Sequence, residues 1–163
     1  YDEALIDINK SLAIKNDFES SYYYRGLVKY MLVNDTGAIN DCNKALSYKK
    51  SYDTYLQRGL SKYQLKDYKG AIADYDEALK MNSNYARAYL EKGVCYYSQQ
   101  NDSMALPQFS KAIEIKPDYA EAYYYRAMSE SFLGKKDESC KDFKKAVDYK
   151  YEKAALKMGE LCK

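Results

Sequence analysis

The sequence has no histidine and no tryptophan, and only two prolines and seven glycines in 163 residues. Without histidine it lacks the side chain that most readily moves protons near neutral pH, which is also the commonest metal ligand. The four cysteines, Cys42, Cys95, Cys140 and Cys162, form no C-x-x-C pair, so the usual zinc-ligand spacing is missing too. No GxxxxGK[ST] or GxGxxG run is present to cradle a phosphate, and the carboxylates are spread at intervals instead of paired. These absences argue against an enzyme and imply no cofactor and no metal.

No apolar run approaches the roughly 20 residues that cross a bilayer, so membrane insertion is not expected. The opening "YDEALIDINK" lacks the basic-then-apolar order of a signal peptide. It starts at Tyr1 in the middle of a helical pattern, so a preceding segment, with any export signal, is expected. Lys plus Arg number 26 against 24 Asp plus Glu, a net charge of +2, which argues against nucleic acid as a partner. Cys42, Cys95 and Cys140 fall where the helical pattern calls for a small apolar residue, so buried free thiols are expected rather than disulfides. That reading favours a reducing compartment, the cytoplasm.

What the chain does have is a period. A basic residue followed by a small one recurs in "YYYRG" (Gly26), "YLQRG" (Gly59), "YLEKG" (Gly93) and "YYYRA" (Ala127), at intervals of 33, 34 and 34. After each comes a second phrase: "TGAINDCNKAL", "KGAIADYDEAL", "SMALPQFSKAI" and "DESCKDFKKAV". The opening "DEALIDINKSL" is that second phrase alone. Both halves read as amphipathic helices: Ala71, Ile72, Tyr75, Ala78 and Leu79 share one face, and Asp74, Asp76, Glu77 and Lys80 fill the other. Short polar turns such as "LKD" and "MNSN" separate them, which forces neighbouring helices to run antiparallel. No segment alternates with period two, so no strand is expected.

The spacing resembles that of the tetratricopeptide repeat family. In the 86–119 unit the matching residues are Tyr89, Gly93, Ala105, Phe109, Ala112 and Pro117, and in the 52–85 unit they are Tyr55, Gly59, Ala71, Tyr75 and Ala78. The 19–51 unit supplies Tyr22, Gly26, Ala38, Cys42 and Ala45, and the 120–153 unit Tyr123, Ala127, Ser139, Phe143 and Ala146. Ala4, Ile8 and Ser11 mark a leading half-unit over 1–18, and 154–163 forms a terminal helix, either a capping helix or the first half of an interrupted unit with Gly159 at the small site. The resemblance implies an all-α fold, a right-handed superhelix of stacked antiparallel hairpins, in one domain over 1–163. Pro107 is expected in the first turn of a helix starting near Ser103, or at a bend. Lys29, Lys62 and Glu130 stand where the family usually has an aromatic, so packing there is expected to be less regular.

Two functional readings follow. Arg25, Arg58 and Arg126 each precede the small site, with Asp41, Asp74 and Asp142 sixteen residues later, while the remaining unit has Lys92 and Gln108 at these places. The coordinated change predicts an arginine–aspartate link within each hairpin rather than a basic ladder for a ligand. The second reading comes from the resemblance: in this family the first helices line a concave groove that holds partner peptides. The matching positions are Tyr23, Leu27 and Tyr30; Leu56, Leu60 and Tyr63; Leu90, Val94 and Tyr97; and Tyr124 with Met128. Tyr24, Gln57, Glu91 and Tyr125 stand at the edge, and Arg87 joins the groove as the counterpart of a clamp residue. Members that clamp an EEVD-type chaperone tail do so with lysine, arginine and asparagine, and of the corresponding residues here only Arg87 fits. The expectation is therefore a protein or peptide partner docked through an apolar or amphipathic segment. Self-association through the groove or the truncated end, or service as a targeting region of a longer chain, are the alternatives.

Overall fold

A computed structural model of the chain describes residues 6–10, 12 and 18–162. Residues 6–10 are helical, while Ala4 and Ser11 of the leading half-unit lie outside the described residues. Nine helices follow: α1 (Phe18–Met31), α2 (Asp35–Tyr48), α3 (Tyr52–Gln64), α4 (Tyr68–Met81), α5 (Ala86–Ser98), α6 (Asp102–Ile115), α7 (Ala120–Phe132), α8 (Lys136–Asp148) and α9 (Glu152–Leu161). Among the described residues there is no strand. Contacts divide the chain into two compact units, Tyr1–Ser83 and Asn84–Lys163. Each is a stack of antiparallel hairpins: α1 with α2 and α3 with α4 in the first, α5 with α6 and α7 with α8 in the second, which α9 extends against α8.

The small–aromatic spacing sets how closely the helices of a hairpin approach. A Cβ placed on Gly59 would stand 2.5 Å from the ring of Tyr75, and one on Gly93 equally close to Phe109. Both rings are fully buried. The glycine is therefore the space that the aromatic ring fills, and a methyl group there would push the ring out of place. Ala127, Phe143 and Ala146 of the last hairpin form a buried cluster with Ala154 of α9, against which Tyr123, Tyr124, Met128, Tyr151 and Met158 pack.

The turn inside each hairpin repeats as closely as the helices do. Val33, Lys66, Gln100 and Gly134 all take a left-handed backbone, with φ between 58° and 74°. In the first three hairpins the next residue caps the second helix: the side chains of Asn34, Asp67 and Asn101 accept from the backbone N–H of Gly37, Gly70 and Met104. Pro107 lies in the second turn of α6, which begins at Asp102, so the proline stands just beyond the first turn that the sequence assigned to it.

α9 departs from the pattern. The earlier connections between hairpins leave the second helix through an extended residue, Lys49, Asn82 or Lys116. α8 instead ends in Tyr149 followed by left-handed Lys150, the kind of turn found within hairpins. A Cβ on Gly159 would meet nothing within 4 Å, unlike those on Gly59 and Gly93.

The cysteine reading needs correction at one pair. Cys42 and Cys95 are free and buried, as expected, and burial pushes both thiols up to about 12. Cys140, however, is bonded to Cys162, tying α8 to the end of α9. Cys140 is half-buried on the α8 surface that α9 covers, and the odd turn at Lys150 returns Cys162 to it, a route the repeat spacing gave no sign of. With a disulfide present, the argument for a reducing compartment falls away.

Val33 is 82% exposed and β-branched, so its left-handed backbone costs energy without any packing in return. Val33→Gly is expected to stabilise the protein by about 1 kcal/mol in urea unfolding, and Gly134→Ala to destabilise it by about as much.

Candidate functional site

In three of the four hairpins an arginine clamp links the two helices. Arg25 donates through Nε and Nη2 to the two Asp41 oxygens at 2.8 and 2.7 Å. Arg58 does the same to Asp74 at 2.9 and 2.5 Å, and Arg126 to Asp142 at 2.5 and 2.9 Å. The aspartates are almost fully buried. Each guanidinium also lies over the tyrosine three residues before it, Tyr22, Tyr55 or Tyr123, at 5.1 to 5.6 Å from the ring centre.

Two further parts of the clamp were not read from the sequence. The remaining Nη1 donates to a residue of the preceding helix: Arg25 to Asn9, Arg58 to Asn43 and Arg126 to Ser110. The signal was available, because these acceptors precede their arginines by a nearly constant 15 or 16 residues. In the first unit Lys29 and Lys62 reach Asp41 and Asp74 at 2.8 Å, so each buried carboxylate has two cations. These positions, expected to pack irregularly, are thus electrostatically regular. Burial would raise Asp41, but hydrogen bonds from Arg25 and Lys29 hold it below the ordinary carboxylate value.

Glu130 occupies the corresponding place in the last hairpin, with the opposite charge. Its Oε2 is buried without a hydrogen-bond partner. Burial, reinforced by the charge of Asp142, pushes its carboxyl up to about 7. Arg126 and Lys135 oppose that rise, and Glu138 adds to it.

The groove positions divide into accessible and covered ones. In the first unit, Tyr24 is exposed and Tyr23, Leu27, Tyr30 and Tyr63 are half-buried, whereas Leu56, Gln57 and Leu60 are 4 to 6% exposed. Tyr23 and Tyr24 meet edge to face at 5.3 Å, and the Tyr30 hydroxyl accepts from Gln64 at 3.4 Å. In the second unit Leu90 and Val94 are buried, Arg87 is exposed, and Tyr97, Tyr124, Tyr125 and Met128 are half-buried. Tyr125 stacks on Phe109 and meets Tyr97 at 5.7 Å. Tyr124 is in part covered by the protein itself, its ring 5.0 Å from that of Tyr151 and packed on the last hairpin's core. Glu91 is paired with Arg87 at 3.5 Å. Burial, with Glu121 nearby, pushes its carboxyl up to about 7.

No group of three or more histidine, cysteine, aspartate or glutamate side chains able to hold a metal occurs among the described residues. None of their helices is long and apolar enough to cross a membrane.

Comparison with known proteins agrees with this architecture. Models described as "Tetratricopeptide repeat" match residues 56–120 and 120–153. No curated protein matches in sequence. Among solved structures, the chain is similar to a crystal structure of MamA, at 25% identity and a TM-score of 0.82 over 93% of this chain and 89% of that one. It is also similar to YrrB, described as a TPR protein with an unusual peptide-binding site, at 23% identity and a TM-score of 0.79 over 98% and 84%. A third is the first TPR of Spaghetti (RPAP3), bound to the HSP90 peptide SRMEEVD, at 16% identity and a TM-score of 0.67 over 69% and 90%.

Two expectations follow from the clamps. Asp74→Ala leaves Arg58 and Lys62 without their buried partner, and is expected to cost roughly 3–5 kcal/mol in chemical unfolding. For Glu130 the folded value of about 7 lies above the ordinary 4.5, so the neutral carboxyl favours the fold at low pH. That contribution is lost as pH rises from 4.5 through about 7. Glu130→Gln, neutral throughout, is expected to flatten the decline in melting temperature over that window.

Proposed function

Because the chain belongs to the tetratricopeptide repeat family, we propose that it is a non-catalytic scaffold that holds a segment of a partner protein against the inner helices of its hairpins. The observation that carries this reading is the half-exposed tyrosine lining. Tyr23, Tyr24, Leu27, Tyr30 and Tyr63 in the first unit, and Tyr97, Tyr125 and Met128 in the second, offer apolar surface, and the tyrosines add polar tips. Tyrosine presents a large contact area at small entropic cost, and such anchors dominate binding in grooves. Leu56, Gln57, Leu60, Leu90 and Val94 act beneath this lining as its support, because a partner reaches them only at their rims. Arg87 and Glu91 hold each other at the edge of the second unit's lining.

The segment is apolar or amphipathic. YrrB, named for a peptide-binding site, supports a peptide-sized partner. The Spaghetti repeat binds a peptide ending in EEVD, but its likeness to this chain is one of fold. The lining here places tyrosines and leucines where a carboxylate clamp needs lysine and asparagine.

The test is peptide selection against the intact chain, followed by affinity measurement on the variant Tyr24→Glu/Tyr30→Glu. The selected peptides are expected to be amphipathic and to bind the folded variant at least about tenfold more weakly, and SRMEEVD is expected not to bind. Unchanged affinity in the variant would remove the first unit's inner face as the docking surface.

A further inference from the structure

A cleft of about 590 Å³ opens in the second unit where α5 turns into α6 and α7 ends. Tyr97, Ser98, Gln100, Asp102 and Phe132 line it. Two of its walls are aromatic: Tyr97 and Phe132 lie 6.0 Å apart and tilted by 45°, and Phe132 is 67% exposed. Phe132 and Tyr97 together present aromatic surface to the cleft. Asp102, half-buried at the start of α6, contributes a carboxylate to the wall. Its charge acts on the nearby Tyr97 hydroxyl, adding to burial and to Tyr124 in raising it.

The same combination occurs elsewhere in the chain with its occupant in place. Three times a tyrosine ring and a buried aspartate hold an arginine between them: Tyr22 with Asp41, Tyr55 with Asp74, and Tyr123 with Asp142. At Tyr97 and Asp102 the ring and the carboxylate line open space. Lys157 acts on Tyr97 from α9, but its Nζ is held by Glu160 at 2.7 Å. A planar guanidinium stacks on aromatic faces and forks onto a carboxylate, which an ammonium does less well.

We propose that this cleft takes the guanidinium of an arginine side chain from the bound partner segment, laid on the exposed ring of Phe132 beside Tyr97 and paired with Asp102. The proposal rests on the peptide-scaffold reading for the rest of the segment and adds to it a specificity pocket for one basic residue. Phe132 and Asp102 lie outside the positions that the family resemblance assigned to the groove.

The test needs no partner. N-acetylarginine amide and its neutral isostere N-acetylcitrulline amide are titrated into the intact chain and followed by the backbone amide resonances of Ser98, Gln100 and Asp102. The arginine amide is expected to shift these resonances saturably and to bind about fivefold or more tighter than the citrulline amide. Asp102→Asn and Phe132→Ala, each confirmed folded by its melting curve, are expected to erase that preference. Equal binding of the two amides, shifts centred elsewhere, no shift up to the solubility limit, or a preference that survives in both variants would overturn the proposal. Loss of arginine binding with retention of Tyr24-dependent peptides would strike this pocket alone, while the reverse result would strike the scaffold reading alone.

Discussion

The arginine–aspartate fork is the interaction on which the geometry of three of the four hairpins depends. A buried carboxylate is costly unless charge and hydrogen bonds compensate it, and here each of its oxygens accepts from one guanidinium in a planar, direction-specific pair. The guanidinium rests on a tyrosine ring and sends its last donor to the preceding helix. One side chain thereby fixes three helices at once: its own, the partner in its hairpin, and the one before. Helix packing alone leaves some freedom to slide, and a fork of this kind removes it. The close approach at Gly59 and the seating of Tyr75 then follow from a register already set, whereas the α5–α6 hairpin, with Lys92 and Gln108 in place of the fork, seats Phe109 against Gly93 by packing.

Much of this was legible in the sequence because a repeat states each rule several times. The paired change from Arg and Asp to Lys92 and Gln108 revealed a contact without any structure. The small–aromatic spacing gave the hairpins, and the short turns gave their antiparallel order. What escaped was what the residue types do not announce, even where it recurs, and what happens once. The left-handed turn residues were hidden because Val33, Lys66 and Gln100 are not the glycine that such a backbone usually requires, and only Gly134 announces it. The disulfide was hidden because helical spacing says nothing about how a departing helix returns. Lys29 and Lys62 were judged by the family's aromatic preference, when the relevant fact was the distance to a buried carboxylate.

The candidate site was legible in position more than in exposure. Periodicity can name the helix face that looks inward, but it cannot say which side chains on that face are covered. Leu56 and Leu60 are buried there while Tyr24 stands open, and Tyr124 is claimed by Tyr151 at the cap of the terminal helix. The tyrosines carry both duties because the ring and the hydroxyl separate them: the body packs while the tip meets water or a partner. Hence a composition of 21 tyrosines and no tryptophan serves a scaffold without demanding that each of them bind.

The bond between Cys140 and Cys162 also alters how the protein bears load. Tension entering the chain beyond Cys162 passes across the sulfur bridge directly into α8, and the 22-residue span between the two cysteines carries none of it. α9 and the second half of α8 lie within that bypassed span, so pulling cannot unravel them while the bridge is intact. Under force the C-terminal unit yields first at its hairpins, and its terminal helix is the last segment to lengthen.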